Sequence, residues 1–235
     1  MNHAGLWTDS RYFIQADSQL DGTGVQLHKT RLPDSVYIPQ WLADNGMKTV
    51  AIDGLCIDSG TVEQIAAVCE VTDVPDVLNI LWTDRPKVPV TPIETLDVDS
   101  FGGVDRVDKI SWLRRWMLLN DVDHVLLTSL DEIAWLLNVR ATDIEYNPLV
   151  ISYLLVSQDS VRWFVRGADD IEGLDLDTCD SFDELRLDNI DIHDYNYIED
   201  FLTELFGPGE ESVIFVDPST LNYHLASHLF SIFAP

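Results

Sequence analysis

A chain of 235 residues with 46% hydrophobic and 10% aromatic side chains can fill one large core or two smaller ones, which excludes a disordered polypeptide. Its 41 acidic against 14 basic side chains give a formal net charge of -27 and a pI near 4.1. That field repels phosphate backbones and anionic headgroups, so nucleic acid and membrane surfaces are excluded as partners.

In chain order, Ala4 to Thr8 reads as a strand and Arg11 to Leu20 as a helix with Phe13, Ile14 and Leu20 on one side, capped by Asp9 or Ser10. Val25 to Leu32 reads as a strand after a Gly22-Thr23-Gly24 turn, Val36 to Asp44 as a helix, Thr49 to Ile52 as a buried strand and Thr61 to Cys69 as a helix. This alternation predicts an α/β fold with a mostly parallel sheet. A strand so close to Met1 lacks preceding sheet neighbours, so the first domain is expected to be truncated at its N-terminus. From Thr83 to Gly103 prolines and paired glycines break the pattern, and the expected domains are residues 1–97, a partial first domain with linker, and 98–235.

Val104 to Leu119 is predicted to be an amphipathic helix burying Val107, Ile110, Leu113 and Trp116 or Met117. His124 to Leu127 reads as a strand. Ser129 to Leu137 reads as a helix with a capping box formed by Ser129 and Glu132. Leu149 to Val156 and Val161 to Val165 read as a hairpin, Gly167 to Asp183 as an acidic loop, Tyr195 to Phe206 as a helix, Ser212 to Val216 as the last strand and Leu221 to Phe230 as the last helix.

Three blocks in order, Leu6-Trp7-Thr8-Asp9-Ser10-Arg11-Tyr12-Phe13, Leu81-Trp82-Thr83-Asp84-Arg85-Pro86, and Leu130 to Arg140 continuing through Thr142-Asp143-Ile144-Glu145-Tyr146-Asn147-Pro148, resemble the non-catalytic front part of the Xaa-Pro aminopeptidase family. The resemblance spans nearly the whole chain. It implies two creatinase N-terminal-like, ribonuclease H-like domains with mixed sheets flanked by helices. The family removes an N-terminal residue that precedes proline, using two divalent metal ions, usually manganese, in a later pita-bread domain. Proline justifies a dedicated enzyme because its tertiary amide and fixed φ prevent the extended fit that other aminopeptidases need. By this resemblance the front domains shape the mouth of the active-site cleft and contribute to a homodimer. The metal-binding catalytic domain is a partner absent from these residues, so the chain is expected to be inactive alone, with no catalytic residue, metal ligand or cofactor of its own. The residues that transfer by position to the cleft rim are Arg11, Tyr12, Asp131, Glu132, Asn138, Arg140, Tyr146 and Asn147, and Asp9 matches in the first block. The competing reading is a free-standing binding or scaffold protein derived from such a front end.

Chemistry independent of that resemblance is sparse. His224 and His228 are four apart on a predicted helix, but Leu225 stands where a zincin motif has glutamate. His193 between Asp191 and Asp194 is the neighbourhood expected by chance in so acidic a chain. Cys56, Cys69 and Cys179 have no metal-ligand spacing and are expected to be reduced, buried thiols. Trp7, Trp82, Trp112 and Trp135 have apolar flanks and are expected in core or inter-domain packing. The absence of a signal segment or apolar run long enough for a membrane span leads to a cytoplasmic expectation.

Asp outnumbers Glu and Arg outnumbers Lys, a balance that fits high salt, where counterions screen repulsion between carboxylates, and also fits an ordinary acidic cytosolic protein. On the high-salt reading, the urea midpoint of the chain rises between dilute buffer and molar potassium chloride; an unchanged midpoint discards it.

Overall fold

A computed structural model describes residues 3–74, 76–101, 103–168, 176–207 and 211–233. The chain divides into two compact units, 1–75 and 76–235. In the first, the elements run β1 (Ala4–Thr8), α1 (Phe13–Leu20), β2 (Val25–Lys29), α2 (Ile38–Asp44), β3 (Thr49–Ile52), α3 (Ser59–Ala66) and β4 (Glu70–Asp73). β1 pairs with β2 and β3 with β4, both parallel, as the alternation of strands and helices predicts. Gly22 and Gly24 both have positive φ in the α1–β2 turn, a conformation that favours glycine.

Local side-chain chemistry shifted the helix starts. Asp9 does not cap α1, because its carboxylate is taken by Arg11, and Tyr12 stands at the N-cap without a side-chain bond. Asp58 accepts from the Thr61 N–H at 2.7 Å and so starts α3 at Ser59, two residues earlier than its apolar pattern suggested. β4 escaped prediction because its sequence, Glu-Val-Thr-Asp, carries one apolar residue.

The second unit opens with a 3-10 turn (Val77–Ile80), followed by β5 (Glu94–Thr95), α4 (Val98–Phe101), α5 (Arg106–Leu119), β6 (His124–Leu127), α6 (Leu130–Leu137), β7 (Val139–Arg140), β8 (Ser152–Ser157), β9 (Val161–Val165), α7 (Leu176–Leu187), β10 (Ile190–Asp194), α8 (Ile198–Leu205), β11 (Ile214–Phe215) and α9 (Tyr223–Phe233). Residues 76–97 are held to this unit by bonds the sequence does not announce. The buried Asp143 carboxylate accepts from the Thr91 N–H and hydroxyl and from the Ile151 N–H, at 3.0, 2.7 and 2.9 Å. Ser181 donates to the Ile93 carbonyl at 2.8 Å, and β5 pairs antiparallel with β7.

The main sheet has the order β10-β9-β8-β6-β11, with β8 antiparallel to its two neighbours and the other pairs parallel. The expected β8–β9 hairpin is present. Buried on both faces, its strands send alternate side chains into two cores. Val125, Leu154, Val156, Trp163 and Val165 pack with Ile110, Ile133, Leu137 and Phe182 from α5, α6 and α7. Leu126, Tyr153, Leu155 and Phe164 pack with Ile198, Leu202, Leu225 and Leu229 from α8 and α9. Helices therefore cover both faces of a mixed sheet. Part of the expected acidic loop is α7 instead, and its residues 169–175 lie outside the described residues. Among the described residues no helix is long and apolar enough to cross a membrane.

The buried face of α5 differs from the apolar pattern. Arg106, Lys109, Ile110 and Met117 are buried, whereas Val107, Trp112 and Trp116 are exposed. The Arg106 side chain, 4% exposed, donates to Glu184 at 2.7 Å and Asp188 at 2.9 Å, which ties the start of α5 to α7. Breaking a buried pair costs about 3–5 kcal/mol, and the half-exposed carboxylates here lower that figure. Arg106→Met should therefore destabilise the chain by about 2 kcal/mol, read as a lower urea midpoint with an unchanged slope.

Candidate functional site

Two polar residues of the third sequence block, Asn138 and Arg140, meet at the C-terminal end of α6. The helix is eight residues long, too short to hold itself, and its last carbonyls need donors. Asn138 takes the left-handed conformation, φ 56°, and its N–H closes on the Ala134 carbonyl. Arg140 donates to the Ala134 and Val139 carbonyls at 2.9 and 2.7 Å. Lys109, reaching across from α5, donates to the Trp135 carbonyl and to Asn138 Oδ1, while Asn138 Nδ2 donates to the Val104 carbonyl at 3.0 Å. Cations at a helix C-terminus also complement its dipole. The Lys109 ammonium lies 4.5 Å from the centre of the Trp135 ring and is 3% exposed. Burial pulls its pKa below the ordinary lysine value, and the nearby Arg140 and Arg106 charges act in the same direction.

At the other end of α6, the capping box does not form. Ser129 makes no cap bond and donates to Asp131 instead, a bond that lowers the Asp131 pKa. Glu132 is left facing a cavity, and its pKa is raised, first by burial and then by the Asp131 and Asp217 charges. Tyr146 has φ 64° and is 94% exposed in a tight turn, closed by the Asn147 N–H donating to the Ile144 carbonyl at 3.0 Å. Arg11 and Tyr12 belong to the first unit, where Arg11 grips Asp9 with bonds of 2.9 and 2.7 Å and stacks over the Tyr12 ring.

The cavity, about 780 Å³, lies beside β11 between α5 and α6. Trp112 and Trp116 of α5, Trp135 of α6 and Phe215 of β11 supply its aromatic wall, and Glu132 and Asp217 its carboxylates. Trp116 and Phe215 meet edge to face with centroids 5.2 Å apart. Asp217 is kept ionised below the usual carboxylate range by bonds from the Ser219 N–H and hydroxyl, both 2.8 Å. The sequence placed Trp112 and Trp135 in packing, yet they are 56% and 55% exposed, and Trp82 is also exposed. Apolar flanks mark membership of a helix or strand without fixing which face a residue occupies. Trp163, fully buried on the sheet, carries the core role instead.

The remaining candidates have structural partners. His224 lies 3.1 Å from Glu199, and His228 lies 3.0 Å from both the Glu199 carbonyl and the Thr203 hydroxyl. His193 stacks on Phe164. Cys69 is buried and donates to the Ile65 carbonyl, Cys56 is exposed rather than buried, and the side chain of Cys179 lies outside the described residues. Among the described residues no group of three His, Cys, Asp or Glu side chains is placed to hold a metal ion.

Residues 84–233 match the family model described as the Creatinase/Prolidase N-terminal domain. The chain is 32% identical to the Xaa-Pro aminopeptidase app-1 of Caenorhabditis elegans over 94% of this chain and 36% of that protein. It is 30% identical to aminopeptidase P2 of Arabidopsis thaliana over 95% of this chain and 31% of that protein. It superposes on a crystal structure of X-prolyl aminopeptidase from Caenorhabditis elegans, described as a cytosolic enzyme with a di-nuclear active site, with a TM-score of 0.82 and 30% identity, covering 99% of this chain and 38% of that one. The chain thus spans about a third of the length of these relatives, in their N-terminal part.

The Arg11–Asp9 pair gives a direct titration test. Arg11, through its side-chain bonds first and its N–H second, holds Asp9 at about 2 instead of 3.8. A depressed acid pKa stabilises the fold above 3.8, and that contribution is lost as pH falls through about 2. Arg11→Ala should return the Asp9 midpoint towards 3.8 in a carboxyl-carbon NMR titration.

Proposed function

This chain belongs to the creatinase/prolidase N-terminal domain family, and we propose that it is the non-catalytic front portion of a metal-dependent Xaa-Pro aminopeptidase. In this reading it shapes access of proline-second peptides to a catalytic domain and contributes to a homodimer. The observation that carries it is the match of nearly the whole chain to the N-terminal third of peptidases of that type. The two divalent metal ions, manganese in this proposal, belong to that catalytic domain, a reading supported by the di-nuclear active site of the superposed aminopeptidase. A cytoplasmic location follows from the same proposal.

Side-chain placement sharpens the assignment of roles. Asn138 and Arg140 close the end of α6, so we assign them to holding the module's shape. Tyr146, at the tip of its turn, and Glu132, at the cavity, remain free to meet a substrate or a neighbouring domain. Ile80, Leu81, Leu118 and Leu119 of the second unit are each more than half exposed, surface that association would cover.

Two measurements test this reading. An antibody raised against the chain should detect, in a lysate of its source, a protein far heavier than 26.6 kDa. The purified 235-residue chain should release no amino acid from an Ala-Pro-Ala peptide with or without manganese. A native band at 26.6 kDa, or manganese-dependent hydrolysis by the chain alone, overturns it.

A further inference from the structure

The α5–α6–β11 cavity sits at the point where the sheet changes direction. From β6 the chain builds outwards through β8, β9 and β10, then returns to lay β11 on the opposite side of β6. β6 and β11 are parallel neighbours, and the helices that follow them, α6 and α9, pack on opposite faces of the sheet. In open α/β sheets the strand ends at such a reversal part and leave a crevice that ligands use. Here the crevice is lined by the carboxyl ends of both strands, Thr128 after β6 and Asp217 after β11. Its volume of about 780 Å³ falls within the range of small-molecule sites.

Its chemistry selects among ligands. Trp112, Trp116 and Phe215 present exposed ring surface, whose negative faces attract cations. The exposed charges at the cavity are the carboxylates of Glu132 and Asp217. The cation in the wall, Lys109, is 3% exposed and committed to the Trp135 carbonyl and Asn138, so an arriving ligand meets negative charge first. Lys109 also shows that this wall accommodates an ammonium, 4.5 Å from the Trp135 ring centre. An anion would face Glu132 and Asp217, and a neutral apolar molecule would leave them unanswered.

We infer that the aromatic crevice between α5, α6 and β11 binds a small organic cation, an alkylated ammonium whose apolar body lies on Trp112 and Trp116 while its charge faces Glu132 and Asp217. The inference rests on the lining of this crevice and does not depend on the proposed function.

The test uses the whole 235-residue chain, choline as probe and its uncharged isostere 3,3-dimethylbutan-1-ol as control, followed by titration calorimetry at low salt. Saturable choline binding, at least tenfold tighter than that of the alcohol, is expected. Trp112→Ala, at an exposed position, should weaken it at least tenfold, and Glu132→Gln several-fold, while Trp82→Ala, outside the crevice, leaves it unchanged. Loss with Trp112→Leu as well as Trp112→Ala, with unchanged urea midpoints, ties the loss to the ring. Four outcomes overturn the inference: no saturable binding, equal binding of the alcohol, binding insensitive to Trp112 and Glu132, or sedimentation showing a dimer that Trp112→Ala converts to monomer, which would make the crevice a contact between copies.

Discussion

A buried lysine whose ammonium donates to a main-chain carbonyl and to an amide oxygen holds the centre of the second unit together. Lys109 spends its ammonium on the last turn of α6 and on Asn138, and Asn138 in turn reaches the Val104 carbonyl just before α5. α6 is too short to persist unaided, so its geometry comes from these donors and from Ile133, Leu136 and Leu137 in the core. The left-handed turn at Asn138 leads straight into β7, whose pairing with β5 fastens the 76–97 stretch. Arg106, one helical turn before Lys109 on α5, fastens α7 by a parallel device. Two cations on one helix thus fix two further helices, in a chain whose net charge is -27.

This economy of cations bears on function. In so acidic a protein each arginine or lysine is scarce, and Arg106, Lys109 and Arg140 are all turned towards helix ends or neighbouring helices. The side chains that a motif-based reading would give to a substrate are thereby divided. Asn138 and Arg140 serve the fold, whereas Glu132 and the tryptophans of α5 and α6 are left facing open space. Keeping the shape of the second unit requires the first group irrespective of what its surface binds.

The sheet makes the aromatic crevice possible. β11 is a two-residue edge strand, and its exposed Phe215 meets Trp116 of α5 outside the core that α5 and α6 form with β6 and β8. Rings that would be core on a longer edge therefore remain accessible. Short edge strands also limit pairing between chains, so one feature both protects the sheet edge and opens the crevice.

The sequence by itself determined the α/β class, the β8–β9 hairpin, and β1, β3, β6 and most helices, because runs such as Ser152 to Ser157 and Val161 to Val165 have only one way to bury both faces. Its motif blocks also led to the family through side-chain identity and order. Tertiary structure alone decided which side of α5 faces inwards: Val107 and Trp116 looked like core by spacing, yet Arg106 and Lys109 took those places because α6 and α7 supplied partners. It likewise turned Ser129 from a helix cap into a partner of Asp131 and brought β11 of residues 214–215 beside β6 of residues 124–127, assembling a crevice from segments some ninety residues apart. Periodicity records which residues share a face. Whether that face meets a core, a carbonyl or open space depends on partners distant in sequence, and only the folded chain supplies them.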